Sequence, residues 1–120
     1  AYNFDCSSLV IKNTGSGDTE IRSLTANELT VILSGSGDIF IDGLSKEVHY
    51  SLSGSGDING FDLKVDDCYV KSSGSGDVFC FVYKQLDIDL SGSGDVVYSG
   101  PSTLIVDENN SGSGDIYERD

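Results

Sequence analysis

The sequence predicts an all-β fold, a single-stranded parallel β-helix (solenoid) of about six coils with 18–20 residues each. Three observations lead to this prediction. The motif Ser-Gly-Ser-Gly-Asp recurs along the chain, alternating apolar and polar residues precede its copies, and β-branched or aromatic residues follow them. A repeat with a fixed period near 20 residues is typical of solenoids, so residues 1–120 are predicted to form a single solenoid domain.

The repeated motif sets the length of each coil. Its copies start at residues 14, 34, 53, 73, 91 and 111, so the steps between them are 20, 19, 20, 18 and 20 residues. The first copy has Thr14 in place of the first serine. Because glycine permits positive φ angles and close approach of two backbones, the motif is expected to form a tight corner in each coil.

The residues before each motif predict a strand with one buried face. Apolar residues stand five, three and one positions before the motif, as in Leu29, Val31 and Leu33, which is the alternation expected of such a strand. Stacking the coils would align the first of these positions into an inward row, Leu29, Val48, Cys68, Leu86 and Val106.

The residues after each motif predict a second short strand, as in 39–41 and 78–80. A further apolar residue often follows it (Leu24, Leu44 or Leu63), which indicates a third side to the coil. The second strands would give another inward row, Thr19, Ile39, Ile58, Val78, Val96 and Ile116.

The two ends of the chain differ from the repeats between them. Near the C-terminus, Glu108 and Asn110 replace apolar residues at inward positions, as expected of a capping repeat. Near the N-terminus, Tyr2, Phe4 and Cys6 alternate like the second strand of an earlier coil. We therefore expect the domain to be truncated at its N-terminal side, with the array continuing there in the parent protein.

The chain carries a net charge of −13, from 20 acidic and 7 basic residues. This charge predicts a soluble protein that repels nucleic acid and anionic membrane surfaces. No apolar run approaches the ~20 residues of a transmembrane helix, so direct insertion into a membrane is not expected.

Stacked coils would place the motif aspartates in one row about 5 Å apart, where neighbouring charges repel by about 1 kcal/mol even in bulk water. We expect the carboxylates to cap the turns by accepting backbone N–H groups in local Asx-type turns. The alternative is a row of calcium sites, since calcium prefers oxygen ligands. A flexible Gly-Ser linker is disfavoured because strands flank every copy. The residues concerned are Asp18, Asp38, Asp57, Asp77, Asp95 and Asp115.

No catalytic constellation is visible, and we expect neither enzymatic activity nor a cofactor, calcium aside. His49 is the only histidine, and the alternation of its strand predicts that it points outward. CxxC, P-loop and HExxH patterns are missing. The cysteines Cys6, Cys68 and Cys80 match no metal-site spacing. Cys68 and Cys80 fall at inward positions and are expected as buried free thiols, with pairing across the core as the alternative.

One outward row is apolar enough to predict a contact surface. The second residue after each motif aspartate reads Glu20, Phe40, Asn59, Phe79, Val97 and Tyr117. A solvent-facing apolar row is typical of a surface that self-associates or binds a ligand, although a later segment or a neighbouring domain would also cover it. The candidate interaction face, called the aromatic row below, consists of Phe40, Phe79, Val97 and Tyr117.

In residues 86–116, LDIDLSGSGDVVYSGPSTLIVDENNSGSGDI, the corner Tyr98-Ser99-Gly100-Pro101 is followed by a final Ser-Gly-Ser-Gly. This stretch resembles the closing portion of the head GIN domain of autotransporter adhesins, and the similarity covers essentially the whole chain. The resemblance implies a β-solenoid that is extracellular, on the bacterial cell surface or in the periplasm. It implies no catalytic residues. Domains of this family are usually longer than 120 residues.

Together, the pattern and the resemblance predict a non-catalytic adhesion or scaffold module that contacts a carbohydrate or a protein surface. One alternative is a self-assembling structural β-solenoid whose coils join through exposed strand edges. The other is a polysaccharide-binding or polysaccharide-cleaving β-helix. Cleavage would need converging basic and acidic residues, whereas the basic residues of this chain are scattered.

Overall fold

The computed structural model describes residues 5–101 and 103–119, with the backbone alone described for Asp5 and Cys6. The predicted strand of Tyr2, Phe4 and Cys6 therefore falls largely outside the described residues. All strand pairings are parallel. The strands are β1 (Asp5–Asn13), β2 (Thr19–Leu33), β3 (Ile39–Leu52), β4 (Ile58–Ser72), β5 (Val78–Leu90), β6 (Val96–Ser99), β7 (Ile105–Asn110) and β8 (Ile116–Glu118).

The strands stack in sequence order, β1-β2-β3-β4-β5, so each stretch of chain between two motifs lies on the preceding one. The next coil divides into two strands, of which β6 pairs with the beginning of β5 and β7 with its end. A turn closed by the Leu104 N–H donating to the Pro101 carbonyl, at 3.1 Å, separates them. Pro101 has no N–H to continue a ladder. The fold is thus the predicted parallel β-solenoid of about six coils.

Both predicted inward rows are confirmed by the strand register, and the row from Thr19 to Ile116 is continuous through the second strands. Leu29 pairs with Val48, and the row continues through Cys68 and Leu86 to Val106. The four members before Val106 are buried, and Val106 is half-buried in the last coil. Side chains of equal position therefore pack on one another along the solenoid and form a narrow continuous core.

The corner opposite the motif is a bend within β2, β3, β4 and β5 rather than a break between strands. The register shifts there, for example between Ile21 and Leu24. Leu24 and Leu63 are buried and form the predicted third side. Leu44 is exposed, because Gly43, with φ 133°, occupies the inward position between them.

The motif turns stack on one another as closely as the strands do. The Gly15 carbonyl accepts the Ser36 N–H at 3.2 Å, and later turns repeat this bond. The expectation of positive φ angles in the motif is wrong: among the described glycines, only Gly43 has one. From the second turn onward the motif glycines are needed because a Cβ on Gly37, for instance, would overlap the carbonyl oxygen of Gly17 in the turn beside it.

No long apolar helix that could cross a membrane occurs among the residues that the structure describes.

Candidate functional site

The motif aspartates form one hydrogen-bonded ladder along the solenoid. Asp57 illustrates it: its Oδ1 accepts the backbone N–H of Asp77, 20 residues later, at 2.8 Å. Each bond therefore joins two successive turns, whereas the predicted Asx-type bond would have been local. The same bond, at 2.9 Å elsewhere, links Asp18 to Asp38, Asp38 to Asp57, Asp77 to Asp95 and Asp95 to Asp115.

The calcium alternative stays a prediction for these aspartates. One oxygen of each carboxylate from Asp18 to Asp95 accepts a backbone N–H, so the other oxygen is the one with all its lone pairs available to a cation. Within residues 5–101 and 103–119, no three or more His, Cys, Asp or Glu side chains come together as metal ligands.

Asparagines close the first and the last turn. Asn13 donates from Nδ2 to the Gly17 carbonyl at 2.8 Å and accepts the Gly15 N–H at 3.1 Å. Asn110 makes the equivalent bonds, to Gly114 and from Gly112, at 2.8 and 3.0 Å. The turns between them have Leu33, Leu52, Ser72 and Leu90 at this position. The sequence pattern identified Asn110 as a cap but missed Asn13, which stands one residue before the first motif.

The aromatic row has the predicted register but not uniform exposure. Phe40 is 41% exposed, Tyr117 is 51% exposed and Phe79 is half-buried. The expectation that Val97 faces solvent is wrong, since it is only 3% exposed. It lies between Phe79 and Tyr117 in the register, and the larger rings shield the short side chain. The row's role in binding is still a prediction.

Two further rings extend this surface. Phe61 packs on Phe79 with ring centroids 5.3 Å apart, and the Arg119 guanidinium lies 5.1 Å from the Phe61 centroid. Phe81 carries the Lys64 ammonium 4.2 Å above its ring. Phe61 and Phe81 both stand eight residues after a motif start, but the register shift at the bend pairs Phe81 with Lys64 instead, so counting along the sequence does not predict this surface. Cations of the chain already cover one face of each ring.

A recess of ≈ 430 Å³ lies on the strand segments that precede the turns. His49, Tyr69, Asp87 and Asp107, four residues before their motifs, form one of its outward rows in direct register. The row two residues before the motif contributes Ser51, Lys71, Asp89 and Asn109.

An aromatic stack forms one wall of the recess. The rings of His49 and Tyr69 lie 4.7 Å apart with an interplanar angle of 11°. His49 Nε2 lies 3.1 Å from the Glu47 carboxylate. Partial desolvation and then the charges of Glu47, Asp67 and Asp87 raise the pKa of the Tyr69 hydroxyl. The sequence pattern predicts His49 only as a lone surface residue. Its equivalent spacing with Tyr69 would have predicted the pair.

The reactive groups of the core are shielded from solvent. Cys68 and Cys80 are buried free thiols, as expected. Burial raises the pKa of the Cys68 thiol, and a hydrogen bond with Cys80 raises it further. Burial also raises the pKa of Tyr50, whose hydroxyl has no hydrogen-bond partner. That hydroxyl fills the space beside Gly60, where a Cβ would overlap it.

Comparison with known proteins agrees with this architecture. Residues 2–102 match the family described as "Putative auto-transporter adhesin, head GIN domain". A crystal structure of a putative adhesin from Bacteroides fragilis is similar, with a TM-score of 0.81 and 26% identity over 93% of this chain. This chain spans 53% of that protein. No curated protein matches significantly. The match over residues 2–102 establishes that the chain belongs to the family of auto-transporter adhesin head GIN domains.

Proposed function

We propose that the chain is a non-catalytic adhesion or scaffold module of the bacterial cell surface or envelope, and that it binds a carbohydrate or protein surface. The observation that carries the proposal is the exposure of Phe40 and Tyr117 beside the half-buried Phe79 on one side of the solenoid. Aromatic side chains are enriched in contact surfaces, where they bury a large area. The family, and the adhesin description of the Bacteroides fragilis protein, support the same role.

The placement of the reactive side chains supports a non-catalytic role. Cys68 and Cys80 are buried in the core, and carboxylates of the motif row accept backbone N–H groups. His49 lies on the outer side of a strand, stacked on Tyr69. These groups are therefore buried, hydrogen-bonded to the backbone or stacked on a neighbouring ring, and they do not converge on one site.

Binding of the purified chain to glycans and extracellular proteins would test the proposal. A variant with Phe40→Ser, Phe79→Ser and Tyr117→Ser should lose at least about tenfold in affinity, because such anchors commonly contribute more than 1 kcal/mol each. The matched control replaces three exposed apolar residues outside the row: Val10→Ser, Leu44→Ser and Ile105→Ser. Equal losses in both variants, or no binding by the unmodified chain, would contradict the proposal.

Self-assembly is a second candidate, favoured by the edges of the last coil. Within the described part of the chain, β7 pairs only with β5 and β8 only with β6, so each has one unpaired edge. Unpaired strand edges attract further strands. Size-exclusion chromatography over a hundredfold concentration range would show growing assemblies if the chains join end to end, and a constant monomer if they do not.

A further inference from the structure

We propose that the recess beside His49 and Tyr69 binds an arginine side chain of a partner protein. The inference goes beyond the proposed function, because it concerns a different side of the solenoid from the aromatic row and assigns a ligand chemistry. It depends on three features of the recess: an aromatic ring with an accessible face, an excess of carboxylates, and the direction in which the rings stack.

The ring of Tyr69 has one face covered and one face directed at the recess. The two stacked rings are 4.7 Å apart, which equals the usual spacing of neighbouring strands, about 4.8 Å. Both ring planes therefore lie across the direction in which the coils stack. His49 covers one face. In register on the other side is Asp87, whose side chain is shorter than a tyrosine ring, so a planar group has room to continue the stack.

Carboxylates line the place where that group would lie. The recess is lined by three carboxylates, Asp87, Asp89 and Asp107, and by one basic side chain, Lys71. Its net charge is therefore −2. No ion pair joins the three carboxylates to a base among the described residues. The pKa of Tyr69 is raised partly by three nearby acids, which agrees with a negative potential at the ring.

Arginine fits these features better than the other cations of proteins. Its guanidinium is planar, stacks on aromatic faces and donates two parallel hydrogen bonds to a carboxylate. A lysine ammonium would be attracted by the same charges, but it is a compact, strongly hydrated group with no plane to stack. A neutral sugar could stack on the ring but would gain nothing from the net charge.

Titration calorimetry with hexa-arginine and hexa-lysine, in about 0.15 M salt to screen general attraction, separates these possibilities. The two peptides have equal charge, so the acidity of the whole chain attracts both. Hexa-arginine is expected to bind about fivefold more tightly, the upper range of one exposed cation–π contact. Tyr69→Ala should abolish this preference, and Asp87→Asn should weaken hexa-arginine binding without unfolding the chain.

Two further variants make the test specific. Tyr83→Ala removes another exposed tyrosine, outside the recess, and should keep the full arginine preference. Lys71→Ala removes the one competing cation and should strengthen hexa-arginine binding about two- to threefold. Circular dichroism checks that each variant is folded.

Three outcomes would overturn the proposal. Equal affinity for the two peptides would reduce the interaction to general acidity. A preference that survives Tyr69→Ala would place arginine recognition elsewhere. Tyr69-dependent binding of a chitosan oligomer, with no preference for hexa-arginine, would assign the recess to an amino sugar.

Discussion

The turn at residues 14–18 and the turn at 73–77 have glycines at the same positions but in different surroundings. Gly15 has no atom within 4 Å of the place where a Cβ would stand. A Cβ on Gly74 would overlap the carbonyl oxygen of Gly54, and the Gly74 carbonyl is equally close to a Cβ on Gly92. Neither Gly15 nor Gly74 has a positive φ. The comparison shows that the glycines are required by the stacking of turns and not by the shape of one turn.

The largest expected effect comes from adding a methyl group to an inner turn. Gly74→Ala should destabilise the chain by about 3 kcal/mol, since the overlapping atoms belong to the backbone and cannot rotate away. Gly15→Ala should stay within about 0.5 kcal/mol, or stabilise slightly by restricting the unfolded chain. Urea denaturation followed by circular dichroism measures both. Equal losses at the two positions would mean that the local conformation of the turn requires glycine after all.

The same comparison explains what the sequence could predict. Period-two alternation and a step of 18–20 residues fix which side chains face inward, so the row from Leu29 to Val106 follows from counting. The sequence does not show why the motif needs glycine. A positive φ angle and the close approach of two backbones both select glycine, so the two causes look identical in a sequence. The structure distinguishes them, because the φ of Gly74 is not positive and a Cβ on this residue would overlap the Gly54 carbonyl oxygen.

Outward surfaces were predicted less well than the core. The burial of Val97 depends on the size of its neighbours Phe79 and Tyr117 in adjacent coils, which an alternation pattern does not contain. The His49–Tyr69 stack was in principle predictable, since both residues stand four positions before a motif. Phe61 lies within the bend, between Gly60 and Lys64, where register shifts make counting unreliable.

The next largest expected effect is a loss of folding stability at alkaline pH. It comes from buried titrating groups in the core of the inner coils and not from exposed groups of the last coil. The folded state raises the pKa values of Cys68 and Tyr50, while in the unfolded chain these groups titrate near 8.5 and 10. Stability is therefore complete below about pH 8. It falls as pH rises, because the unfolded state releases protons that the folded state retains. Between pH 7 and pH 10 the expected loss is about 2 kcal/mol.

Urea denaturation at several pH values measures this loss. Cys68→Val should remove most of it, since valine fills a similar volume without a titrating group. Tyr117→Phe, which changes an exposed phenol of the last coil, should leave it unchanged. An alkaline loss that persists in Cys68→Val would mean that other groups control the pH dependence.

The smallest expected effect concerns the aspartate ladder, where inner and terminal turns again differ. Asp57 accepts the N–H of Asp77, whereas no later turn follows Asp115 within the described residues. Replacement by alanine or by asparagine removes the same charge, but only asparagine keeps an oxygen acceptor. Asp57→Ala should therefore be about 1 kcal/mol less stable than Asp57→Asn, while the corresponding pair at Asp115 should differ by less than about 0.3 kcal/mol.

Thermal melts of the same four variants, with and without calcium after chelator treatment, decide between turn capping and metal binding. If the ladder only caps turns, calcium leaves every melting temperature unchanged and the difference between alanine and asparagine at position 57 persists in chelator. A calcium-dependent rise in the unmodified chain that Asp57→Asn abolishes would contradict pure capping, because that variant keeps the hydrogen-bond acceptor and loses the charge and the second carboxylate oxygen. The aspartate row would then be a set of cation sites formed by the carboxylate oxygens that accept no backbone N–H, and adhesion through it would depend on calcium.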